Sequence, residues 1–596
     1  MSTFNKGVHY HCKKALVPQR TLLWLAIALT FLSLAWPAQT APQKPADKSP
    51  IAYFTDVAGK AGLDALNVFG GTDTKKFIIE TTGNGVAIFD YDNDGWPDIF
   101  LVNGTTLQGT GAASPPTNHL FHNNHDGTFS DVTAKAGLTA SGWGQGVCVG
   151  DYDNDGWDDL YVTYYGRNRL YHNDRGVFTE VAEPANVAGS GKAWGTGCAF
   201  VDYNRDGKLD LMVANYVDFD PATTPIPGEG QYCSWKGVPV MCGPRGLPSL
   251  KNILYKNLGN GKFADVTTQA HIDKTNGHYA FSVSTLDFDD DGWPDIYVAC
   301  DSVPSILYHN NRDGTFTDVA VMAGVAFDED GREQAGMGTT IADYNGDGRL
   351  DIFKTNFSDD TPILYQNRGN GIFADVTFAA GLGLHSQYLG WGTMFFDFDN
   401  DSWPDLILAN GHVYPEAGKS HLGSDYQEPR LLYHNNGNAT FTEISAVAGP
   451  GINTASSARG LAVGDLWNDG QISVVINNMN AKPSLLVNST RSANHWVAFK
   501  TVGTRSNRDG IGAKITVKVG VRTLVDEVRS GSSYISQSDL RVHFGLGPAT
   551  KLNSVQVRWP SGLVEHFDNL SVDAFHTLTE GSGTADRVGA SATSER

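Results

Sequence analysis

The stretch Asp90-Tyr-Asp-Asn-Asp-Gly-Trp-Pro-Asp98 places carboxylates at positions 1, 3, 5 and 9 around a glycine at position 6. Oxygen side chains at alternate positions, with a glycine to turn the backbone, converge on one point. Hard oxygen donors in that number suit Ca2+ better than a thiophilic metal. In this copy Asp90, Asp92, Asp94 and Asp98 would bind by side chain and Trp96 by its carbonyl. The pattern recurs at Asp151 with Asp153, Asp155, Trp157 and Asp159, and at Asp202 with Asn204, Asp206, Lys208 and Asp210. It returns at Asp287 with Asp289, Asp291, Trp293 and Asp295, at Asp343 with Asn345, Asp347, Arg349 and Asp351, and at Asp397 with Asp399, Asp401, Trp403 and Asp405. A seventh copy at Asp465 has Trp467 and Ser473 at two ligand positions and is expected to hold no tight metal. About six structural calcium ions are therefore expected, with Ser402 weakening the sixth loop by standing where the others have glycine. The loops are not EF-hands, because the twelfth position is apolar (Leu101, Val162, Val298).

Around each loop the sequence repeats. An apolar run opening on glycine precedes it (Gly85-Val-Ala-Ile-Phe89, Gly146-Val-Cys-Val-Gly150), and a second follows (Ile99–Val102, Leu160–Val162). A third run ends in Asn (Leu120–Asn123, Leu170–Asn173, Ile253–Asn257, Ile306–Asn310, Ile363–Asn367, Leu431–Asn435). A fourth begins at Phe, as in Phe129-Ser-Asp-Val132. Short β-rich runs split by Asp-Gly and Asn-Gly turns read as four-stranded antiparallel units. The fold class is all-β, and four-stranded units at this spacing predict a seven-bladed β-propeller over residues 51–489 followed by a small β-sandwich. The seventh unit lacks its Phe strand, whereas Phe54-Thr-Asp-Val57 precedes the first loop. An amino-terminal strand completing the last blade would close the ring and remove open sheet edges.

The chain has 596 residues, 65 acidic against 44 basic, for a formal charge of −21. That balance opposes nucleic-acid binding. Twenty-two of the acids are Asp at the ligand positions, so much of the excess is assigned to metal. Residues 1–41 contain four bases, no acid and an apolar run from Thr21 to about Ala38, the form of a secretory signal or signal anchor. Residues 42–50 form a polar linker. The expected location is secreted, periplasmic or cell-surface, with membrane contact only through an uncleaved anchor. Cys233 and Cys242 lie in a Pro/Gly-rich insertion and are expected to form a disulfide. Cys148, Cys198 and Cys300 are expected as buried thiols, a Cys148–Cys198 bridge being the alternative.

The repeats resemble the FG-GAP (VCBS) repeats of integrin α-subunit propellers, a resemblance that implies calcium in the Asp loops on the side away from the ligand face. Past residue 490, Asn494-His-Trp496, Gly503–Ala513, Ser530-Gly-Ser-Ser-Tyr-Ile-Ser-Gln537, His543–Gly547 and Val557–Gly562 resemble the ASPIC/UnbV domain. The combination is similar to the cartilage acidic protein family, which implies extracellular calcium binding with adhesion or ligand binding. Independently, residues 490–580 alternate apolar and polar residues as a β-sandwich does, and 581–596 read as a disordered tail.

The ends of the second strands mark the face opposite the loops. Asn103, Asn215, Asn356, Asn410 and Asn478 share one repeat position there and could ring a channel mouth, or each could cap its own turn. The insertions Val217–Leu250 and His412–Pro429 fall on the same face. The expected role is a protein or glycan binding or adhesion module. The alternatives are a propeller-based polysaccharide lyase or hydrolase, with His412, Glu416 and His421 available for acid–base work, or an accessory biosynthetic protein. No catalytic residue is assignable, because no GxSxG, HExxH or P-loop signature occurs. His122, His172, His309 and His434 fall at equivalent positions in separate repeats and cannot form one site.

Overall fold

The structure, a computed structural model, describes residues 51–110, 115–275, 277–419 and 423–585. The expected signal (1–41) and linker (42–50) lie outside the described residues, as does the tail beyond Ala585.

Each repeat folds as the four-stranded antiparallel sheet its turns predict. The first comprises Val86–Phe89, Asp98–Leu101, His119–Asn123 and Phe129–Asp131, paired in that order. Among the described residues there are seven such sheets. In the seventh, Ala458–Gly464, Ser473–Asn478 and Ser484–Asn488 take Phe54–Asp56 as fourth strand, with Phe54 opposite Asn488. The first strands of successive sheets are neighbours all the way round, and Val86–Phe89 of the first sheet lies beside Ala458–Gly464 of the seventh. The ring is closed by the amino-terminal strand, as the strand census requires. Glycine opens these inner strands because they approach closely at the axis: a Cβ at Gly146 would sit 2.4 Å from the Thr196 carbonyl.

The Asn that ends each third strand ties the ring together. The Asn173 side chain donates to the carbonyl of Asp158 in its own loop (2.9 Å) and of Tyr91 in the preceding loop (2.9 Å). The same bond to the preceding sheet is made by Asn257 (Tyr152), Asn310 (Tyr203), Asn367 (Phe288), Asn435 (Tyr344) and Asn488 (Phe398). Asn123 donates to Leu466 and closes the circle. A buried backbone carbonyl needs a donor, and a primary amide has two to give, so one residue satisfies two loops.

After Asn488 the chain builds two small sheets. Val542–Gly547, His495–Val502 and Ala574–Thr579 form one, with the last two strands parallel. Arg522–Glu527, Lys514–Val519, Ser554–Arg558, Val564–Phe567 and Thr584–Ala585 form the other. The last strand corrects the expected tail: residues 581–585 are ordered, because Thr584 and Ala585 pair with His566 and Glu565.

This domain is not separate from the propeller. The described residues from Ile51 to Ala585 form one compact unit, and one apolar core joins Tyr161 and Phe200 of the propeller to Val497, Ile515 and Trp559. The segment Ser530–Ser538 runs down the axis of the ring and hydrogen-bonds every inner strand. The N–H groups of Val86, Phe200, Thr393 and Val463 donate to the hydroxyls of Ser536, Ser530, Ser533 and Ser538. Val147 and Thr339 donate to the Ile535 and Ser533 carbonyls, and the Ile535 N–H donates to Ser282 Oγ. Inner strands present unpaired backbone groups to the axis, and the serine hydroxyls and backbone carbonyls of this segment satisfy them. The channel is filled by the protein itself.

Candidate functional site

The Asp loops connect first and second strands at one end of the ring. Position 1 shapes the turn: Asp90 Oδ1 and Oδ2 accept the N–H groups of Asp94 (3.1 Å) and Gly95 (3.0 Å). Asp151, Asp202, Asp287, Asp343 and Asp397 do the same in their loops. Position 5 accepts the N–H of position 7, which fixes the residues expected to offer carbonyls: Trp96, Trp157, Lys208, Trp293, Arg349 and Trp403. Position 9 accepts the N–H of the third-strand Asn, as in Asn123 to Asp98 Oδ1 at 2.8 Å.

The ligand atoms converge. Those of Asp90, Asp92 and Asp94 all lie within 4.8 Å of one another. So do those of Asp92, Asp98 and His122, of Asp153, Asp159 and His172, of Asp289, Asp295 and His309, and of Asp399, Asp401 and His434. The four histidines thus remain in separate sheets, but each joins its own loop. His309 Nδ1 stands 3.1 Å from Asp295 Oδ1, and His434 Nδ1 3.1 Å from Asp405 Oδ1. The sequence carries this signal. Histidine occurs only where position 3 is Asp and position 7 is Trp, whereas the Asn204 and Asn345 loops have Lys256 and Gln366 instead.

These carboxylates are held at a cost that a cation would remove. Burial pushes Asp98, Asp159 and Asp295 up to about 7, and Asp210, Asp351, Asp397 and Asp405 also rise well above the usual range. Burial and the neighbouring Asp509 raise Asp151 to about 8. Asp210 Oδ2 and Asp351 Oδ2 are buried with no hydrogen-bond partner among the described residues. Orphaned anionic oxygens aimed at one point fit an oxygen-seeking cation. Basic side chains already meet the third, fourth and fifth loops: Lys208 Nζ is 3.3 Å from Asp206, Arg558 is 2.5 Å from Asp287, Arg312 is 2.5 Å from Asp291, and Arg349 Nη2 is 2.5 Å from Asp347.

Ser402 sits at φ +79°, a conformation that favours glycine. Its hydroxyl bonds Arg522 of the carboxyl-terminal domain, whose guanidinium stacks on Trp403 at 3.5 Å. In the degraded seventh loop, Arg541 of the same domain donates to the Asp465 carbonyl (2.9 Å) and Asn468 Oδ1 (2.7 Å). Arg558 and Lys514 reach Asp287 and Asp290 at 2.5 and 3.0 Å. The carboxyl-terminal domain therefore lies on the Asp-loop face and directs its basic side chains at the loops.

The opposite face differs from expectation. Asn103, Asn215, Asn356, Asn410 and Asn478 are all buried. Their amides donate to the carbonyls of Leu66, Lys251, Thr361, Pro429 and Lys482, each 2.6–3.1 Å away. They clamp the loops leading to and from the strands and form no ring at a channel mouth. His412 is fully buried: its Nδ1 accepts the Tyr414 N–H (3.1 Å) and its Nε2 meets Ser358 Oγ (3.2 Å). Burial, then the nearby Arg459, lowers it to about 3, so it stays neutral and unsuited to proton transfer in solvent. His421 lies outside the described residues.

What this face does present is a pocket of about 410 Å³. Its floor is Tyr216, Phe281, Met337 and Trp391, and the 217–250 insertion covers one side. A Cys233–Cys242 disulfide pins that insertion as expected. Cys148 and Cys198 are also bridged, which corrects the expectation of thiols: they occupy facing positions on adjacent inner strands. Cys300 is a buried thiol.

Comparison with known proteins agrees with this architecture. The FG-GAP-like repeat profile matches residues 90–162, 151–213, 247–298, 287–354 and 343–408, and the ASPIC and UnbV profile matches 503–585. The chain is 25% identical over 502 residues to cartilage acidic protein 1 of Mus musculus, covering 80% of this chain and 70% of that one. It is 26% identical over 186 residues to integrin alpha-3 of Cricetulus griseus, covering 28% of this chain and 17% of that one. Among solved structures, an Agrocybe aegerita lectin that recognises non-reducing terminal N-acetylglucosamine aligns at TM-score 0.36 and 15% identity, over 66% of this chain and 88% of the lectin.

Proposed function

The chain belongs to the FG-GAP-repeat proteins that carry an ASPIC/UnbV domain, and on that footing we propose an exported, calcium-loaded propeller that binds an extracellular protein or glycan. One observation carries this reading. The two ends of the ring are unequal: the Asp-loop end lies under the carboxyl-terminal domain and the axis is filled by Ser530–Ser538, whereas the other end holds an open pocket.

Six Ca2+ would sit in the loops headed by Asp90, Asp151, Asp202, Asp287, Asp343 and Asp397. Each would be held by side chains at positions 1, 3, 5 and 9 and by the carbonyl at position 7. A cation there would neutralise carboxylates that burial has forced together and would fix the loop that the third-strand Asn uses to bind the next sheet. That is a structural role, because the protein supplies most of the coordination and the covering domain limits access. Export matches the sequence of residues 1–41, and among the described residues no helix is long and apolar enough to cross a membrane.

The test is a glycan and protein array probed with the calcium-loaded chain and again after chelation. Calcium-dependent retention supports the reading. Turnover of an arrayed polysaccharide, or binding that is unchanged in a chain unfolded by chelator, would overturn it.

A further inference from the structure

The pocket opposite the Asp loops is built from parts that meet only in the closed ring. Tyr216 follows the second strand of the third sheet, Phe281 opens the first strand of the fourth, and Trp391 opens that of the sixth. Tyr216 and Phe281 stack with centroids 4.3 Å apart. Beneath them Tyr534, at the tip of the axial segment, packs edge-on against Trp391 (4.7 Å) and Phe281 (5.5 Å). The Tyr534 hydroxyl is buried and has no hydrogen-bond partner among the described residues. The aromatic floor is thus backed by the axial segment and flanked on one side by a disulfide-pinned insertion.

The polar groups in the wall are unbalanced. Asp301 accepts from two hydroxyls, Tyr216 Oη at 2.5 Å and Ser302 Oγ at 2.8 Å, and among the described residues no cation comes within 4 Å of it. Asp360 stands in the same wall, likewise without an ion-pair partner among the described residues. Arg245, a basic lining residue, is already paired with Glu333 at 3.0 Å and donates its Nε to the Ser302 carbonyl. Two carboxylates without a direct ion pair therefore stand beside an aromatic floor. Arg245 acts on Asp301, and Lys354 and Arg332 on Asp360, from beyond ion-pair distance, and Arg459 already stacks on Trp391 at 4.1 Å. Aromatic faces attract cations through their quadrupole, and the attraction grows where water is excluded. Burial also raises both carboxylates above their usual range, in the direction a missing counter-cation would reverse.

We propose that this pocket binds an organic cation, an ammonium or guanidinium on an apolar stem, with the head against Asp301 and Asp360 and the stem on Tyr216, Phe281 and Trp391. The inference rests on the reading of this face as the ligand face and names the chemistry it selects. About 410 Å³ accommodates one long basic side chain or a free amine of similar size.

The experiment is titration calorimetry of the calcium-loaded full chain. The free probes are n-butylammonium and n-butylguanidinium, the peptide probes are capped Lys and Arg tripeptides, and butanol and a capped norleucine tripeptide are the neutral controls. The expected result is that cationic probes bind at least ten-fold tighter than their neutral counterparts. The partly exposed Asp360→Asn should weaken them several-fold without moving the thermal midpoint, and Asp301→Asn, whose carboxylate also holds Tyr216 and Ser302, should weaken them at least as much. Tighter binding of peptides than of free amines identifies a basic side chain of a protein as the source, and equal binding identifies a small amine. Equal affinity for charged and neutral probes, or no response to either substitution, overturns the proposal. A neutral glycan that binds here would sink the cation but keep the ligand face, whereas failure of every array and probe would sink both.

Discussion

Asn435→Ala removes a residue that touches three loops. Its amide donates to the Tyr344 carbonyl (2.8 Å) in the preceding sheet and the Pro404 carbonyl (2.9 Å) in its own loop, and its Oδ1 accepts the Gly437 N–H (3.0 Å). Each buried bond contributes about 1 kcal/mol net, and a stranded carbonyl adds desolvation cost, so the loss should be about 3–5 kcal/mol. Asn435→Asp separates this account from a packing effect. Aspartate fills the same volume and keeps the acceptor, but it turns an anion toward two carbonyls and removes both donors. If the side chain mattered only as filler, Asp would be milder than Ala. The hydrogen-bond account predicts that Asp is at least as damaging at neutral pH and recovers part of the loss once protonation restores a donor. The assay is urea unfolding of the calcium-loaded protein, followed by tryptophan fluorescence at pH 7.5 and pH 5. A loss below about 1 kcal/mol for Ala, or a milder Asp at pH 7.5, would refute the reasoning.

Further expectations follow from the same contacts. A chain ending at Ser489 loses the axial segment and leaves backbone groups of six inner strands, and the Ser282 hydroxyl of the seventh, without their axial partners, so it should be aggregated or lack near-UV circular dichroism when refolded alone. A soluble, cooperatively unfolding fragment would contradict the axial role. Burial raises Glu428 from 4.5 to about 8. The native state then holds a proton that the unfolded state releases, so stability should fall as pH rises from about 4.5 through 8, and Glu428→Gln should flatten that slope. A pH profile of the urea midpoint in wild type and variant checks both. Replacing Cys233 and Cys242 with serine opens a short loop worth roughly 2–3 kcal/mol of local order. Proteolysis within 217–250 should accelerate and pocket affinity fall, with the global midpoint nearly unchanged.

What was legible in the sequence was local. The nine-residue spacing of the Asp loops, the turn pairs and the Phe54 strand are short-range patterns, and each predicts its element directly. Contacts between repeats were not legible from one repeat alone. The third-strand Asn reads as a strand terminator until the neighbouring loop comes within reach of its amide. Cys148 and Cys198 are one repeat apart, yet only the ring brings them face to face. At Asn103 and its equivalents, repeat position alone does not distinguish a channel lining from a loop clamp. Their burial settles it. In the sequence Ser530–Gln537 carries only a family resemblance, and its hydroxyls acquire a purpose only inside the axis. His412 is of a residue type suited to proton transfer, but aromatic rings from the two insertions enclose it.

The calcium content of the purified chain tests the structural-metal account most directly. Elemental analysis after dialysis against calcium-free buffer, repeated with graded chelator, should give six ions per chain. Two should leave first, from the Asn204 and Asn345 loops, which offer three carboxylates where the others offer four and have Lys208 and Arg349 beside them. Thermal stability should fall as the remaining four are withdrawn. Two or fewer ions per chain, or full removal with no loss of stability, would contradict it.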